Sequence, residues 1–309
     1  MESPGHSEPL RDAIGMVQVW RPDSPEEAWR LKRQYGKHAS YAAGGTWLRT
    51  SWESGSSFPP LHLISLDKIA ALRTIQIRQP MTDAAPRVLR IGAAAPLSVI
   101  EHHTDIQSQA PLLAMAANSV AAPSVRRQAT IGGNVMTRSG DLIPALLALD
   151  AVIILYSNGR YERRPLAQWL TTDGGDRDRL TISFEIGLLK GRDCWYRKLG
   201  RREAFTPSVL TIACAYRVDA SSGVLSDVRL AVGGAGMVPV RLYDAETAAE
   251  SGTSVSCVYT AVRRGIPSVA DDYAGAAYRR MAAANVIAAE LDRVYGRRRG
   301  ERANGGVKH

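Results

Sequence analysis

The chain is poor in the residues and runs that would point to several common functions. It has three cysteines, Cys194, Cys214 and Cys257, far apart and with no CxxC pair among them. That spacing argues against a zinc site or a disulfide framework, and three thiols are one short of a four-cysteine iron–sulfur site. Long apolar runs are also missing. The longest, Ala151-Val152-Ile153-Ile154-Leu155 and Val209-Leu210-Thr211-Ile212-Ala213, are strand-length, whereas a membrane-spanning helix needs about 18 apolar residues. Met1 to Asp12 is polar and lacks the basic stretch and apolar core of a secretory signal, so cytoplasmic residence is expected. No GxGxxG follows a strand and no GxxxxGK with a following Ser or Thr occurs, which leaves neither a Rossmann site nor a P-loop. There is no GxSxG elbow. His102-His103 lacks the glutamate spacing of a metalloprotease helix and reads as an exposed helix end. Asp173, Asp176 and Asp178 lack the spacing of a calcium loop and read as polar loop residues.

What is present describes a soluble globular protein. The 309 residues are 45% hydrophobic and 22% charged, enough for two domains with a substantial core in each. The net charge of +9 raises nucleic acid as a partner. Part of the excess sits in a tail after the last apolar helix, at Arg297, Arg298, Arg299, Arg302 and Lys308. Elsewhere bases alternate with acids, as at Arg201-Arg202-Glu203. No nucleic-acid motif accompanies them, so a solvated tail or a surface for an acidic partner is the plainer expectation.

Val17 to Trp20 reads as a strand, and Ser24-Pro25-Glu26-Glu27 opens a helix through Tyr35 with a capping box and proline at its first position. Ser40 to Ala43 reads as a strand entering the turn Gly44-Gly45-Thr46. Further strands are predicted over Leu61–Leu66, Leu72–Arg78 and Arg87–Ala93, and helices over Pro96–Thr104 and Pro111–Val120. Ala121 to Asp141 reads as a loop rich in glycine, serine and arginine. An apolar helix then runs from Asp141 to Leu149, followed by a strand over Val152–Tyr156 and a hairpin turn at Asn158-Gly159. Strands over Leu180–Ile186, Trp195–Leu199, Val209–Val218 and Val228–Val232 come next, with a turn or bulge at Gly233-Gly234 and Gly236. The last helix spans about Asp272 to Tyr295. Irregular alternation with many hairpin signals favours α+β over a doubly wound parallel sheet.

Two segments have the form of phosphate-binding turns: Ala42-Ala43-Gly44-Gly45-Thr46-Trp47, directly after a strand, and Ala129-Thr130-Ile131-Gly132-Gly133-Asn134. Paired glycines let successive N–H groups point inward and remove the Cβ atoms that would hold a ligand away. A diphosphate can be held by such donors without a lysine. Either pair alone reads first as a tight turn between elements.

In this order and with these flanks, the two segments resemble the FAD-binding subunits of the molybdenum hydroxylases, the family of xanthine dehydrogenase and the carbon monoxide dehydrogenase medium subunit. Ala43-Gly44-Gly45-Thr46 is similar to its AGGT or AGGHS motif, and Ala129 to Asn134 reads as its ATIGGN. Gly140-Asp141-Leu142-Ile143-Pro144 through Leu149-Asp150 is similar to the family's aspartate, proline and apolar helix ending in LD. Further likeness lies in Tyr196-Arg197-Lys198, in Val232-Gly233-Gly234 with Pro239-Val240-Arg241, and in Ala277-Tyr278-Arg279-Arg280. The resemblance covers about Val17 to Val294. It departs from the common pattern in a shorter loop between Asn134 and Asp141, and in Ala204-Phe205-Thr206-Pro207-Ser208, where the family often has Ala followed by Asp-Ile-Ala near the flavin.

The resemblance implies an α+β fold: a two-motif, PCMH-like FAD-binding domain over residues 1–190 and a smaller α+β domain over 191–309 ending in the basic tail, with the boundary near Lys190. It implies FAD held by Tyr41, Ala42, Ala43, Gly44, Gly45, Thr46, Trp47 and Leu48 and by Thr130, Ile131, Gly132, Gly133 and Asn134. Thr46 and Asn134 would add side-chain hydrogen bonds, and Val120 an apolar contact on the adenine side. Asp141 would accept from ribityl hydroxyls, and Lys198 would favour reduced, anionic flavin. Without the resemblance, Asp141 reads as a helix cap and Lys198 as a salt-bridged or solvated side chain. Molybdopterin and iron–sulfur clusters would reside in a large and a small partner subunit, with NAD+ or another compound as electron acceptor. The expected protein is an electron-transfer component, with a purine as first candidate for the complex's substrate. A self-contained FAD oxidoreductase and a basic binding module are the rival readings.

Overall fold

The computed structural model describes residues 17–78, 87–172, 178–188, 191–200 and 208–305, apart from single positions at 220, 223, 235, 253 and 273, with backbone alone from 296 onward. Met1 to Asp12, Asp173, Asp176, Lys190, the segment from Arg201 to Pro207, Lys308 and the side chains of Arg297, Arg298, Arg299 and Arg302 fall outside it.

The first strand, β1 (Gln18–Trp20), leads into α1 (Pro25–Tyr35). Ser24 Oγ caps this helix by accepting from Glu27 N at 3.2 Å. Glu27 reaches back to Asp23 N, one residue before the usual partner in a capping box. At the other end Gly36 turns the chain at φ +51. The Lys32 ammonium donates to the Gly36 and Ala39 carbonyls, both at 2.8 Å, and so closes the helix onto the next strand. That strand, β2 (Ala39–Ala42), precedes α2 (Thr46–Glu53) and β3 (His62–Ser65). The three strands form a small parallel sheet in the order β1-β3-β2.

A second sheet of five antiparallel strands carries most of the remaining first half. Its order is β4-β5-β8-β6-β7, built from β4 (Ile75–Arg78), β5 (Val88–Gly92), β6 (Val152–Ser157), β7 (Arg160–Pro165) and β8 (Leu180–Gly187). Leu72 lies in a 3-10 turn ahead of β4, so that strand starts later than the period-two pattern suggests. Asn158 and Gly159, at φ +49 and +74, form the tight turn between β6 and β7. Edge strand β7 carries Arg160, Glu162, Arg163 and Arg164, charges that discourage pairing with another chain.

Six short helices stack between β5 and β6: α3 (Leu97–His102), α4 (Thr104–Gln109), α5 (Pro111–Asn118), α6 (Pro123–Gln128), α7 (Ile131–Met136) and α8 (Ile143–Ala148). The predicted helix over Pro96–Thr104 is divided at His103, whose Nδ1 accepts from Asp105 N and caps α4. Next to it, His102 is exposed, as a helix end should be. The predicted loop from Ala121 to Asp141 is corrected by α6 and α7. Pro123 starts the former, and Thr130 Oγ1 starts the latter by accepting from Gly133 N at 3.1 Å. Each spans six residues, too few to show a helical period in sequence. The helix expected from Asp141 begins at Ile143, with Leu142 at the cap position.

After α9 (Leu166–Thr171), the second half forms a four-stranded antiparallel sheet, β12-β11-β10-β9, from β9 (Asp193–Gly200), β10 (Ser208–Val218), β11 (Leu225–Gly234) and β12 (Met237–Arg241). The glycines at 233, 234 and 236 form both a register shift and the turn into β12. Helices α10 (Tyr243–Glu250), α11 (Val255–Gly265) and α12 (Ala276–Gly305) cover this sheet. The main core cluster does not stop at the second sheet's edge. It joins Leu142, Ile143, Leu146 and Leu147 to Tyr196, Ala213, Ala215 and Ala231, so α8 is buried against the C-terminal sheet. Buried Cys214 belongs to the C-terminal core. The mixed helix and sheet composition is the expected α+β class.

Candidate functional site

Both glycine motifs start helices, and each is held by main-chain contacts. Gly45 caps α2 at φ +69, a left-handed conformation that glycine adopts at low cost. The helix N-terminus leaves its first N–H groups without intrahelical partners. Among the described residues, the N–H groups of Gly45, Thr46, Trp47 and Leu48 meet no acceptor. Gly44 has a different task. A Cβ there would lie 1.8 Å from the Gln128 carbonyl oxygen, so glycine lets the first motif rest on the end of α6, directly before the second.

The second motif is zipped antiparallel to residues 93–97. Ile131 N donates to the Ala95 carbonyl, Gly132 N to the Ala93 carbonyl, and Leu97 N to the Ala129 carbonyl. Gly132 is required by this closeness, since its Cβ would meet Ala93 O at 2.6 Å. Those N–H groups, with that of Gly133 on Thr130, are engaged within the chain, so the first motif alone retains the open nest of donors. Gly133 is less constrained: its Cβ would meet Thr130 Oγ1 at 3.1 Å and nothing else nearby. Asn134 closes the following loop, accepting at Oδ1 from Leu142 N at 3.0 Å, with Gly140 packed against it.

These parts line one cleft of about 1190 Å³, larger than the roughly 300–1,000 Å³ of ordinary small-molecule sites. Tyr41, Ala43, Gly44, Gly45, Thr46, Trp47 and Leu48 form one wall, and Thr130, Gly132, Gly133 and Asn134 another. Val120, Asp141 and Lys198 complete the set. Ala42 and Ile131 are not on the lining, and Ile131 is fully buried in the core. Trp47 stands exposed.

One end of the cleft holds a polar cluster that sequence spacing could not assemble. Lys198 Nζ lies 2.8 Å from Asp141 Oδ2 and donates to the Ser119 carbonyl at 3.0 Å. Ser208 Oγ donates to Asp141 Oδ1 at 2.6 Å. Below them the Tyr196 hydroxyl donates to the Asp141 carbonyl at 2.8 Å. Burial, reinforced by the Asp141 charge, keeps that phenol protonated far above its ordinary range. Asp141 is thus an ion-pair partner, not a helix cap. The lining also holds Lys32, buried and 3.3 Å from Asp178, and Tyr41, whose phenol is pushed up by burial and by Asp178. Arg179, which pairs with Glu162, lines the cleft too.

Arg126 is a further residue that sequence inspection passes over. Its guanidinium bridges Glu101 at 2.8 Å and the Val120 and Ala121 carbonyls at 3.1 and 3.0 Å. It therefore fixes the turn that presents Val120 to the cleft. The only local sign was the pair of arginines in a supposed loop.

The residues present fit a dinucleotide. An unpartnered helix N-terminus suits a diphosphate, and the missing Cβ atoms at Gly45 and Gly133 leave room beside it. Comparison with known proteins gives the same class. Residues 15–186 match the FAD binding domain in molybdopterin dehydrogenase. The chain is 28% identical over 243 residues to the nicotinate dehydrogenase FAD-subunit of Eubacterium barkeri, covering 74% of this chain and 78% of that one. It is 27% identical over 197 residues to the xanthine dehydrogenase FAD-binding subunit of Escherichia coli O157:H7, covering 62% and 65%. Its fold is similar to a chain of carbon monoxide dehydrogenase from Hydrogenophaga pseudoflava, with a TM-score of 0.81, 23% identity and coverage of 91% and 98%.

The chain belongs to the family of FAD-binding domains of molybdopterin dehydrogenases. It is an FAD-binding oxidoreductase component. Among the described residues no helix is long and apolar enough to cross a membrane.

Proposed function

We propose that this chain is the electron-transfer subunit of a heteromeric, cytoplasmic molybdenum hydroxylase. It takes electrons from an iron–sulfur small subunit and passes them through FAD to NAD+ or another acceptor. Substrate, with a purine as first candidate, is hydroxylated at the molybdopterin centre of a large subunit. The observation carrying this reading is that both glycine motifs and the Asp141–Lys198 pair line one cleft.

When bound, FAD supplies the redox chemistry, and the protein supplies binding, orientation and electrostatics. The N–H groups of Gly45 to Leu48 would hold the diphosphate, with Thr46 adding its hydroxyl. Gly133 would admit the diphosphate from the facing wall, where Asn134 offers its Nδ2 amide. Val120 would give an apolar surface to the adenine side. Asp141 and Lys198 would lie toward the ribityl and flavin end. Their opposite charges largely cancel, so the pair orients the cofactor more than it imposes a net field. Of the cleft's other charged side chains, Lys32 pairs with Asp178 and Arg179 with Glu162, which among the described residues leaves Lys37 as the cation on this lining that could face an added anion. This arrangement favours cofactor binding over a self-contained substrate acid–base set.

The test compares the purified, FAD-loaded chain with the same chain co-expressed with its small and large partner subunits. The chain alone is expected to carry near-stoichiometric flavin and to oxidise neither purines nor aldehydes, while the complex does. Hydroxylation at full rate by the isolated chain would establish the self-contained oxidoreductase instead. A purified chain with no flavin would favour the basic binding module.

A further inference from the structure

Two pieces of sequence that the cofactor site does not use, Gly233-Gly234 and Tyr278-Arg279-Arg280, meet behind its polar end. Arg279 opens α12 and is completely buried. Its guanidinium donates to the Val209 carbonyl and pairs with the Asp271 carboxylate. A buried arginine is costly unless its donors are engaged; with a longer contact from Nε to the Ala274 carbonyl at 3.5 Å, these partners come from a strand, a loop and its own helix entry. Gly234 makes room for this arrangement. A Cβ at that position would lie 2.4 Å from Val209 O and 3.2 Å from an Arg279 terminal nitrogen.

Val209 immediately follows Ser208, which is 3% exposed and donates to Asp141 Oδ1 at 2.6 Å. The other oxygen of Asp141 faces Lys198. A continuous set of bonded contacts therefore runs from the start of the last helix, through the first residues of β10, to the ion pair on the cleft lining. A carboxylate with a short donor on each oxygen has its rotation removed. With one donor gone, it is free to turn.

We propose that Ser208 is a positioning residue for the Asp141–Lys198 pair and that Arg279 acts through it, by fixing the main chain at Val209. This rests on the reading of the cleft as the FAD site. It deepens that reading by naming one residue on the cleft lining, Ser208, and one buried away from it, Arg279, that tune the bound flavin. Removing the Ser208 hydroxyl leaves Asp141 more negative and less fixed, which disfavours added electron density on the neighbouring cofactor. The flavin midpoint potential should therefore fall.

The experiment measures FAD content, thermal midpoint and flavin midpoint potential in the FAD-loaded full chain. The variants are Ser208→Ala, Ser208→Thr, Arg279→Lys and the double variant Ser208→Ala/Arg279→Lys. Lysine at 279 keeps the charge but cannot reproduce the planar fork across separate acceptors. Ser208→Ala and Arg279→Lys are each expected to lower the potential with FAD content unchanged, and Ser208→Thr to restore it. The double variant is expected to fall no further than Ser208→Ala, because residues acting through one another are not additive. An unmoved potential in Ser208→Ala, or additive shifts in the double variant, would overturn the proposal. A lowered thermal midpoint with unchanged potential would reduce Arg279 to a stabilising role and also overturn it. Absence of FAD from the parent chain would instead defeat the underlying site reading.

Discussion

At the scale of single residues, the four motif glycines do not carry the same burden. Gly44 and Gly132 allow backbone segments to touch, whereas a Cβ at Gly45 would meet open space and one at Gly133 only the Thr130 hydroxyl, at 3.1 Å. Gly133→Val is therefore expected to fold and to lose most of its FAD, measured as flavin absorbance per chain after gel filtration. Gly44→Ala is expected to lose thermal stability before any cofactor effect is seen, because its methyl would overlap the Gln128 carbonyl. Full flavin content in Gly133→Val would remove that turn from the site. Lys198 can be tested in the same assay. Lys198→Met leaves Asp141 without its ammonium partner in a pair whose side chains are only 17% and 15% exposed. Breaking a largely buried pair costs about 3 kcal/mol. The variant is expected to melt earlier and to show a lower flavin potential with FAD still bound. An unchanged potential would return Lys198 to a purely structural role.

Among the elements, the contact between the two main sheets has a definite ionic clamp. Asp150 ends the α8 segment at φ +48 and pairs with both Arg229 on β11 and Arg241 on β12. Arg241 is shared with Glu246 on α10. Asp150 is half exposed, so the ionic part is modest after screening by water. Asp150→Gly, which adopts the same backbone freely, is expected to cost about 1 kcal/mol in denaturant unfolding. Asp150→Ala should cost about 1 kcal/mol more, the penalty for a Cβ in a left-handed conformation. Equal losses in the two variants would show that the backbone conformation contributes nothing.

Legibility in the sequence also divided by element. Helix α1 was readable because capping serine, proline, acids and closing glycine are all local signals. The hairpin at Asn158-Gly159 was readable for the same reason. Helices α6 and α7 were not, because their six residues each are defined by contacts with residues 93–97 and the first motif. The glycine segments could be placed at a ligand by their composition. Their unequal use of N–H groups could not, since it depends on Ala93 and Ala95 lying alongside. The grouping of Lys198, Asp141 and Ser208 needed the chain to close over separations of 57 and 67 residues. We propose that the division near residue 190 separates two sheets rather than two independent cores, given the apolar cluster that both share.

For the molecule as a whole, stability at alkaline pH reports on thiols that are not part of the cleft lining. Burial, and then the Asp193 charge, pushes the Cys194 thiol from 9.0 up to about 11. Cys214, fully enclosed, is raised further by burial and by Glu246. A thiol whose folded pKa is raised supports the fold while it stays protonated in both states. That support is lost as pH rises from the unfolded value through the folded one. The thermal midpoint of the parent chain is expected to fall between about pH 9 and pH 11 more steeply than that of Cys194→Ala. Parallel curves would show that Cys194 is not among the titrating groups.

The zip between the second glycine motif and residues 93–97 bears on how the protein acquires its cofactor. Ile131 and Gly132 direct their N–H groups to Ala95 and Ala93, so this wall takes its shape from the polypeptide alone. Loading should then proceed as a bimolecular docking onto a prepared surface, without coupled ordering of the chain. Its observed rate should rise in proportion to FAD concentration with no plateau, and hydrogen exchange at 131 and 132 should be slow before FAD is added. An apoprotein can on this basis be stored empty, and it can receive flavin late, after the surrounding complex has assembled.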